Sequence, residues 1–422
     1  MSLSWCLPFL GLLLSMAVCQ AAAPAWWSRY YGWVTALWIA AALLPMAALM
    51  PIPVATRMLR QTLLSSYLPF LVTMAALYAI VGGIRIRTRM SGHPLENTLL
   101  LGLGTLFAGV GGTLGATLLF LPVLLTANQW RRHRRHTMVF LIFLLCNIGG
   151  GMTPLSPPLL LGYLSGVPFL WMVQAMLAPT LFVAGILLGV YYGLDAVYFF
   201  PHEDGAARAA HRRDHDSLTI EGGVNLLLLA AAIALQVLCG DSGELPRLAG
   251  LAVLAAAAMR RGRAAHHFGW RPLAEVAVLF AGIFLTIGPC LAILAEGRDA
   301  ALGGLFRLLA GIDGRPLPWA YFTITGLLSA FLDNAPTFLV FFNAAGGDPA
   351  RLIADDPTTL TAIATGATFW GGATYIGNAP NFLVLSVAER HGVAMPHFFG
   401  FLAWSGVLLL PVLGLAGWVF FR

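Results

Sequence analysis

Apolar runs of bilayer length recur along this 422-residue chain, and that recurrence restricts its fold more than any motif does. Roughly 17 to 25 apolar residues in a helix cross a hydrocarbon core about 30 Å thick. Runs of this kind lie near Cys6–Ala22, Trp33–Ala55, Tyr67–Gly83, Val167–Tyr191, Gly223–Gly240, Leu248–Met259, Leu273–Ala295 and His397–Phe421. In lipid every backbone N–H and C=O must find its partner inside the protein, so such runs are expected to be helices. Hydrophobic residues make up 59% of the chain and charged residues only 10%, against about 25% charged in a soluble domain. The expected fold class is therefore an all-α polytopic membrane protein, multi-pass and integral, with the lipid bilayer as its first partner.

Three further apolar stretches, Asn97–Ala127, Thr137–Gly166 and Tyr321–Ala388, are interrupted where a simple span should be unbroken; the last is divided by the polar loop Ala345–Pro357. The interruptions are rich in glycine and proline: Gly111 and Gly112; Gly150, Gly151, Pro154, Pro157 and Pro158; Pro336; and Gly371, Gly372, Gly377 and Pro380. Proline removes a backbone donor and crowds the preceding turn, and glycine admits non-helical torsions, so these positions should break helices. Irregular backbone at membrane depth persists only where it is buried in protein or lines a polar cavity.

The spacing of the breaks points to a duplication. "LGATLLF" at 114–120 aligns with "NAPTFLV" at 334–340 at an offset of 220, and "GGMT" at 150–153 with "GGAT" at 371–374 at an offset of 221. The expected organisation is a first inverted repeat over 1–200 (re-entrant hairpin 97–127, broken helix 137–166), a cytoplasmic linker over 201–221, and a second inverted repeat over 222–422 (hairpin 318–344, broken helix 358–388). Each repeat would hold about five transmembrane helices, one of them broken, plus one hairpin, and an odd number of crossings inserts the second repeat upside down. Paired broken segments in inverted repeats are the sequence pointer to a secondary transporter with its site at the repeat interface.

Charge orients the chain. Every basic residue apart from histidine is arginine, and 16 of the 24 fall in loops that the five-crossing scheme puts on the side of "RRHRRH" at 131–136, the cytoplasmic side by the positive-inside rule. The acidic loops Asp241–Glu244 and Asp348–Pro357 fall on the other side, whereas Arg57 and Arg60 do not fit the scheme. The formal charge of +6 thus reflects topology, and no nucleic-acid surface is expected. His133 and His136 read as part of a solvated basic face. The five cysteines stand apart in apolar segments as buried thiols, with no zinc or disulfide spacing. The N-terminal run reads as a first span, with a signal peptide as the other possibility. No HExxH, GxSxG or Walker-type motif is present, so neither a hydrolase nor an ATPase is expected, and the cofactor expectation is none beyond a coupling sodium ion or proton.

The chemistry centres on Asp333, a carboxylate in the apolar stretch "FLDNAPTFLVFF". An intramembrane acid is costly enough, roughly 2.5 to 3.5 kcal/mol, to suggest function. Thr113 and Thr117 near the first hairpin tip, Asn334 and Thr337 near the second, and Asn147, Thr153, Ser156, Thr374, Asn378 and Asn381 at the broken helices offer neutral oxygens and amides. Half-helix N-termini favour anions, and unwound carbonyls favour small cations. These groups suit a sodium ion or a substrate carboxylate, and Asp333 tilts the balance to a cation, because a carboxylate repels an anion but can hold a proton and a cation in turn. No metal site is expected beyond a transported sodium ion. Glu275 is a second candidate carboxylate, at an interfacial position. Alternatively, Asp333 is a cap that locks its hairpin.

Together "NIGGGMTPLSPP", "FLDNAPTFLVFF" and "GGATYIGNAPN", spread over essentially the whole chain, resemble the citrate-transporter-like branch of the ion transporter superfamily, which includes sodium/proton antiporters. The resemblance implies hairpins entering from opposite faces, a homodimer formed through a scaffold, a substrate domain moving against it, and residence in a bacterial inner membrane. Leu155-Ser156-Pro157 departs from it, lacking an acidic residue seen in relatives. The expected function is antiport of sodium or another small cation against protons by alternating access; the alternative is cation-coupled transport of citrate or a related carboxylate.

Overall fold

The computed structural model describes residues 3–49, 51–87, 90–206, 219–238, 244–261, 269–295, 303–311 and 315–422. The Arg208–Arg213 loop, Arg89, Cys239, Asp241 and the histidines at 266 and 267 lie outside the described residues. The described chain is helical apart from two short strands, Arg85–Arg87 and Thr219–Glu221, paired antiparallel, and an isolated bridge between Ala310 and Pro316. The strand pair was not expected. It gives order to the last residues of the 201–221 stretch, for which the sequence suggests only a linker.

Among the described residues, four helical segments are long and apolar enough to cross a membrane: Ala25–Leu49, Ala55–Val81, Phe169–His202 and Arg271–Leu294. The helices Phe398–Leu408 and Leu410–Phe420 form a fifth candidate, bent by 41°. The single span expected at His397–Phe421 is thus kinked, and Pro411, in the first turn after the bend, supplies the cause by removing a helical donor. The span expected at Trp33–Ala55 is divided. One helix occupies Pro24–Leu49, and a separate amphipathic helix, Ile52–Gln61, exposes Arg57 and Arg60 before a π-helical turn leads into Leu68–Val81. Pro51 accounts for the division: it stands at the break with ψ 131°, outside the helical region, and Pro53, in the first turn of the next helix, has no N–H to donate back across it. The N-terminal helix Leu7–Ala22 packs against Pro24–Leu49 and Arg271–Ala295.

Two helix-turn-helix hairpins occupy the first and third interrupted stretches. The first joins Pro94–Gly111 to Thr113–Ala127, the second Pro318–Leu332 to Asn334–Ala344. A capping box starts the first hairpin: Glu96 accepts from the His93 backbone N–H at 3.1 Å, with Pro94 in the first turn. Two broken segments follow the hairpins. Arg135–Leu144 and Pro157–Leu164 flank a 3₁₀ turn at Ile148–Gly151, and Pro357–Phe369 and Ala379–Arg390 flank one at Trp370–Ala373.

The packing between these parts is reciprocal. The outgoing helix of the first hairpin, Thr113–Ala127, lies against Ala379–Arg390, while the outgoing helix of the second, Asn334–Ala344, lies against Pro157–Leu164. The incoming helices rest on the 3₁₀ turns, Pro94–Gly111 on Ile148–Gly151 and Pro318–Leu332 on Trp370–Ala373. A hydroxyl ties each such pair: Thr153 donates to the Gly109 carbonyl, and Thr374 to the Ala330 carbonyl at 2.5 Å.

At the base of the first hairpin, Asn97 and Asn128 exchange amide hydrogen bonds of 2.8 Å in both directions. Beside them Arg131 donates to the Gly92 carbonyl at 3.0 Å and to both carboxylate oxygens of Asp195, the Oδ2 bond being 2.9 Å. The His136 ring lies 3.0 Å from Asp195, the Tyr191 hydroxyl donates to it at 3.3 Å, and Glu203 accepts from the backbone N–H groups of Arg132 and His133. Burial works against the charge on Arg131, and the hydrogen bond and attraction of Asp195 outweigh it, raising the arginine's pKa above its ordinary value. This corrects the reading of 131–136 as a solvated face: both Arg131 and His136 are buried. The same end of the molecule receives Gly392 and Ala394, whose carbonyls accept from Arg134 and Arg135. At the far end of the first broken segment, Gly166 faces Pro349.

Candidate functional site

Both hairpin tips share one unusual backbone conformation. Gly112 has φ 74° and ψ 153°, and Asp333 has φ 75° and ψ 145°. Asp333 is the one non-glycine residue with positive φ among the described residues, in a region that is essentially glycine's alone and costs other residues of order 1–3 kcal/mol. Two helices that meet head to tail need this torsion to reverse direction. Glycine meets the need at the first tip. At the second tip a carboxylate is kept despite the strain, and its Oδ1 accepts from the Ala335 N–H at 3.2 Å.

The breaks expected from sequence differ in detail from those observed. Gly111 is the last helical residue and Gly112 is the break, while Pro336 sits in the first turn of its helix and opens it. Pro157, Pro158 and Pro380 likewise begin the second halves of the broken segments, where the missing N–H costs nothing, and Pro154 lies in the turn before them.

Buried asparagines join the two broken segments. Asn147 donates to the Ile142 carbonyl at 2.8 Å and to Asn381 Oδ1 at 2.9 Å, Asn381 donates to the Gly371 and Thr374 carbonyls at 2.8 and 2.9 Å, and Asn378 donates to the Cys146 carbonyl at 2.7 Å. Asn334, oriented with its amide nitrogen inward, donates to the carbonyls of Ala367 and Gly377 at 3.1 and 2.8 Å. Carbonyls freed by the breaks are thus satisfied by buried side chains, most of them from the same half of the chain and, for the Cys146 carbonyl, by Asn378 from the other half, as buried polar groups require. The hydroxyls of Thr117, Ser156 and Thr337 are engaged closer to home, donating to the carbonyls of Thr113, Gly150 and Asp333 at 2.7, 2.6 and 2.7 Å. Among the sequence-derived candidates, then, Asn147, Asn334, Asn378, Asn381 and Thr374 are brought into one network, Thr117, Ser156 and Thr337 serve local backbone, Thr153 ties its hairpin to the break, and Thr113 lines the space between them.

Glycines leave room for this network. A Cβ on Gly371 would stand 2.0 Å from the Asn334 amide and 2.7 Å from Asn147 Oδ1, and one on Gly150 would stand 2.6 Å from the Thr113 methyl. One on Gly372 would meet only Leu409 at 3.2 Å and Asn147 at 3.4 Å, and Gly151 faces Phe369 and Thr180. Gly371→Ala is expected to lower transport at least tenfold with membrane insertion unchanged, and Gly372→Ala to act far more weakly. Initial rates normalised to the folded protein recovered by size-exclusion chromatography check this order.

The tips and breaks enclose space. A chamber of about 50 Å³ is lined by Gly112, Thr113, Leu155, Asp333, Asn378 and Pro380. Asp333 also lines an adjoining vestibule of about 810 Å³, whose wall includes Phe280 and Glu275 and whose rim carries Arg271, Glu389 and Arg390. On this measure a water needs about 10–15 Å³, so the chamber has room for an ion with a few waters. Among the described residues no cluster of three or more metal-ligating side chains is present.

Sequence reasoning misses two buried arginines. Arg131 looks like one more charge in a basic run, and its partner Asp195 lies far along the chain. Arg247 looks like a flanking residue of its span, yet it is buried with its guanidinium 4.9 Å from the centre of the Tyr163 ring. For Asp195 a signal was present: an acid one helical turn after Tyr191 at the end of an apolar run.

Residues 1–421 match the profile of a protein family described as "Putative citrate transport". Two curated relatives, each described as an uncharacterized transporter, one of Mycobacterium bovis and one of Mycobacterium tuberculosis, are 26% identical to this chain over 186 residues, 43% of this chain and 41% of theirs. The matched stretch thus spans less than half the length of those relatives.

Proposed function

The chain belongs to this citrate-transport family, a family of membrane transporters and not of enzymes, and from that premise we propose that it exchanges sodium or another small cation for protons by alternating access. The observation that carries the reading is Asp333. A carboxylate held in a strained, glycine-like conformation at the junction of a chamber and a vestibule can bind a proton or a cation in turn. Carbonyls and amides at the breaks supply the neutral part of such a site.

The organisation that goes with this reading is a pair of inverted repeats, 1–200 and 222–422, with hairpins re-entrant from opposite faces; the reciprocal packing of each outgoing hairpin helix on the other half's broken segment supports it. The arginine-rich end faces the cytoplasm, the protein works as a homodimer, and it resides in a bacterial inner membrane. A second reading, cation-coupled transport of citrate or a related carboxylate, is favoured by the family's description. Against it, the chamber is small and its one charged lining residue among the described residues is an acid.

Purified protein in proteoliposomes, loaded with a pH-sensitive dye under an imposed pH gradient, separates the two readings. Sodium or lithium is expected to dissipate the gradient and citrate to leave it intact. Citrate accumulation that depends on a cation gradient, with no sodium-driven proton movement, would establish the second reading instead.

A further inference from the structure

Among the described residues the vestibule holds five charged side chains: Arg271, Glu275, Asp333, Glu389 and Arg390. Those at the rim are exposed; Arg271, one turn before Glu275 on the same helix, attracts that carboxylate, and the Trp27 side chain also faces it. Arg271 donates to the Ser28 carbonyl at 3.1 Å, Arg390 donates to the Ser386 carbonyl at 3.1 Å and hydroxyl at 2.7 Å, and Glu389 is exposed at the end of its helix. Glu275 is different. It is half-buried, one turn deeper than Arg271 on the same helix, and the residues below it, Val276 and Phe280, line both the vestibule and the chamber. From Glu275 to Phe280 the helix advances about 7.5 Å, so Glu275 stands between the rim and the chamber that Asp333 borders.

We propose that Glu275 is the relay carboxylate of the ion path, taking up the proton that Asp333 releases when a cation binds and returning it to bulk water at the rim; this rests on the antiport reading of Asp333. In the exchange, Asp333 loses a proton to vestibule water as the cation takes its place on the carboxylate. Glu275 accepts that proton and gives it up to bulk water, and the reverse sequence reloads Asp333. The anionic form of Glu275 also draws cations from the rim toward the chamber, which two arginines alone would repel. No other acid lines the vestibule between the rim and Asp333 among the described residues.

The test is sodium-driven proton movement in proteoliposomes from pH 6 to 9, with wild type, Glu275→Gln, Glu275→Asp and, as a remote exposed control, Asp355→Asn. Glu275→Gln is expected to raise the sodium concentration for half-maximal rate about tenfold and to shift the pH optimum, Glu275→Asp to restore most of both, and Asp355→Asn to match wild type. A glutamine variant with wild-type sodium dependence and pH profile overturns the relay while leaving the antiport intact. Wild-type protein that moves no protons with sodium overturns the antiport reading itself, and the relay with it. A glutamine variant that loses rate with an unchanged pH profile, and is not rescued by aspartate, assigns Glu275 to packing and also overturns the proposal.

Discussion

Replacing Asp333 with glycine is expected to yield a protein that is more stable than wild type and inactive. The backbone torsions at this position are the ones Gly112 adopts at the other tip without strain. Removing the side chain should relieve of order 1–3 kcal/mol of conformational strain, and loss of the capping carboxylate, when glycine replaces it, subtracts only a few tenths. The net gain of about 1–2 kcal/mol is to be read as a higher thermal midpoint in detergent. Transport should fall to background, because neither proton nor cation retains a charged partner. Asp333→Asn isolates the charge: asparagine keeps the volume and the cap, so folding should be preserved while sodium-dependent proton movement is abolished, and glutamate should retain some of it with a shifted pH profile. If Asp333→Asn transported at the wild-type rate from pH 6 to 9, the residue would be a cap, and carboxylate transport would become the better reading.

The second large effect is expected at the base of the first hairpin. Asp195→Ala leaves the Arg131 guanidinium buried with its principal partner gone. Breaking a buried pair from one side costs about 3–5 kcal/mol, and the Glu203 carboxylate, 3.6 Å from Arg131 Nε, is the counter-charge that remains. The variant should lose its tertiary near-UV signal at a much lower denaturant concentration. Removing both charges, as in Arg131→Met with Asp195→Leu, should recover most of the loss, although the Gly92 carbonyl and His136 then lose partners too. A single variant within about 0.5 kcal/mol of wild type would mean that solvent reaches this cluster. Its effect on transport should follow the amount of folded protein, in contrast to Asp333→Gly, where stability and activity move in opposite directions.

How much of this was legible in the chain varies with the range of the interaction. Glycine at 112 and the Asp-Asn pair at 333 and 334 announce interrupted helices because their local chemistry is decisive: φ near 75° needs glycine or compensation. The helices at Pro318–Leu332 and Asn334–Ala344 fill the stretch in which the sequence places the second hairpin. The asparagines stand out as polar residues in apolar runs, but nothing local says that Asn378 bonds the Cys146 carbonyl 232 residues away. Arg131 misleads for the same reason, since a basic run looks solvated until the acid that folds over it is known. Pro51, Pro53 and Pro411 are visible, yet counting apolar residues along a run passes over single missing donors. The pairing of Arg85–Arg87 with Thr219–Glu221 depends on where two distant loops end up.

The exchange of helices between the two halves has a consequence for how the protein is made. Thr113–Ala127 rests on Ala379–Arg390, and Pro157–Leu164 on Asn334–Ala344. At roughly 5–20 residues per second, some tens of seconds of synthesis separate each early helix from the late one that covers it. Throughout that interval the first half waits in the membrane with the Cys146 carbonyl and the Asn147 side chain lacking the asparagines that will later bond them. Completion of the last hundred residues is therefore the moment at which the whole fold closes, and a ribosome that stalls before Asn378 leaves behind a chain with no finished half.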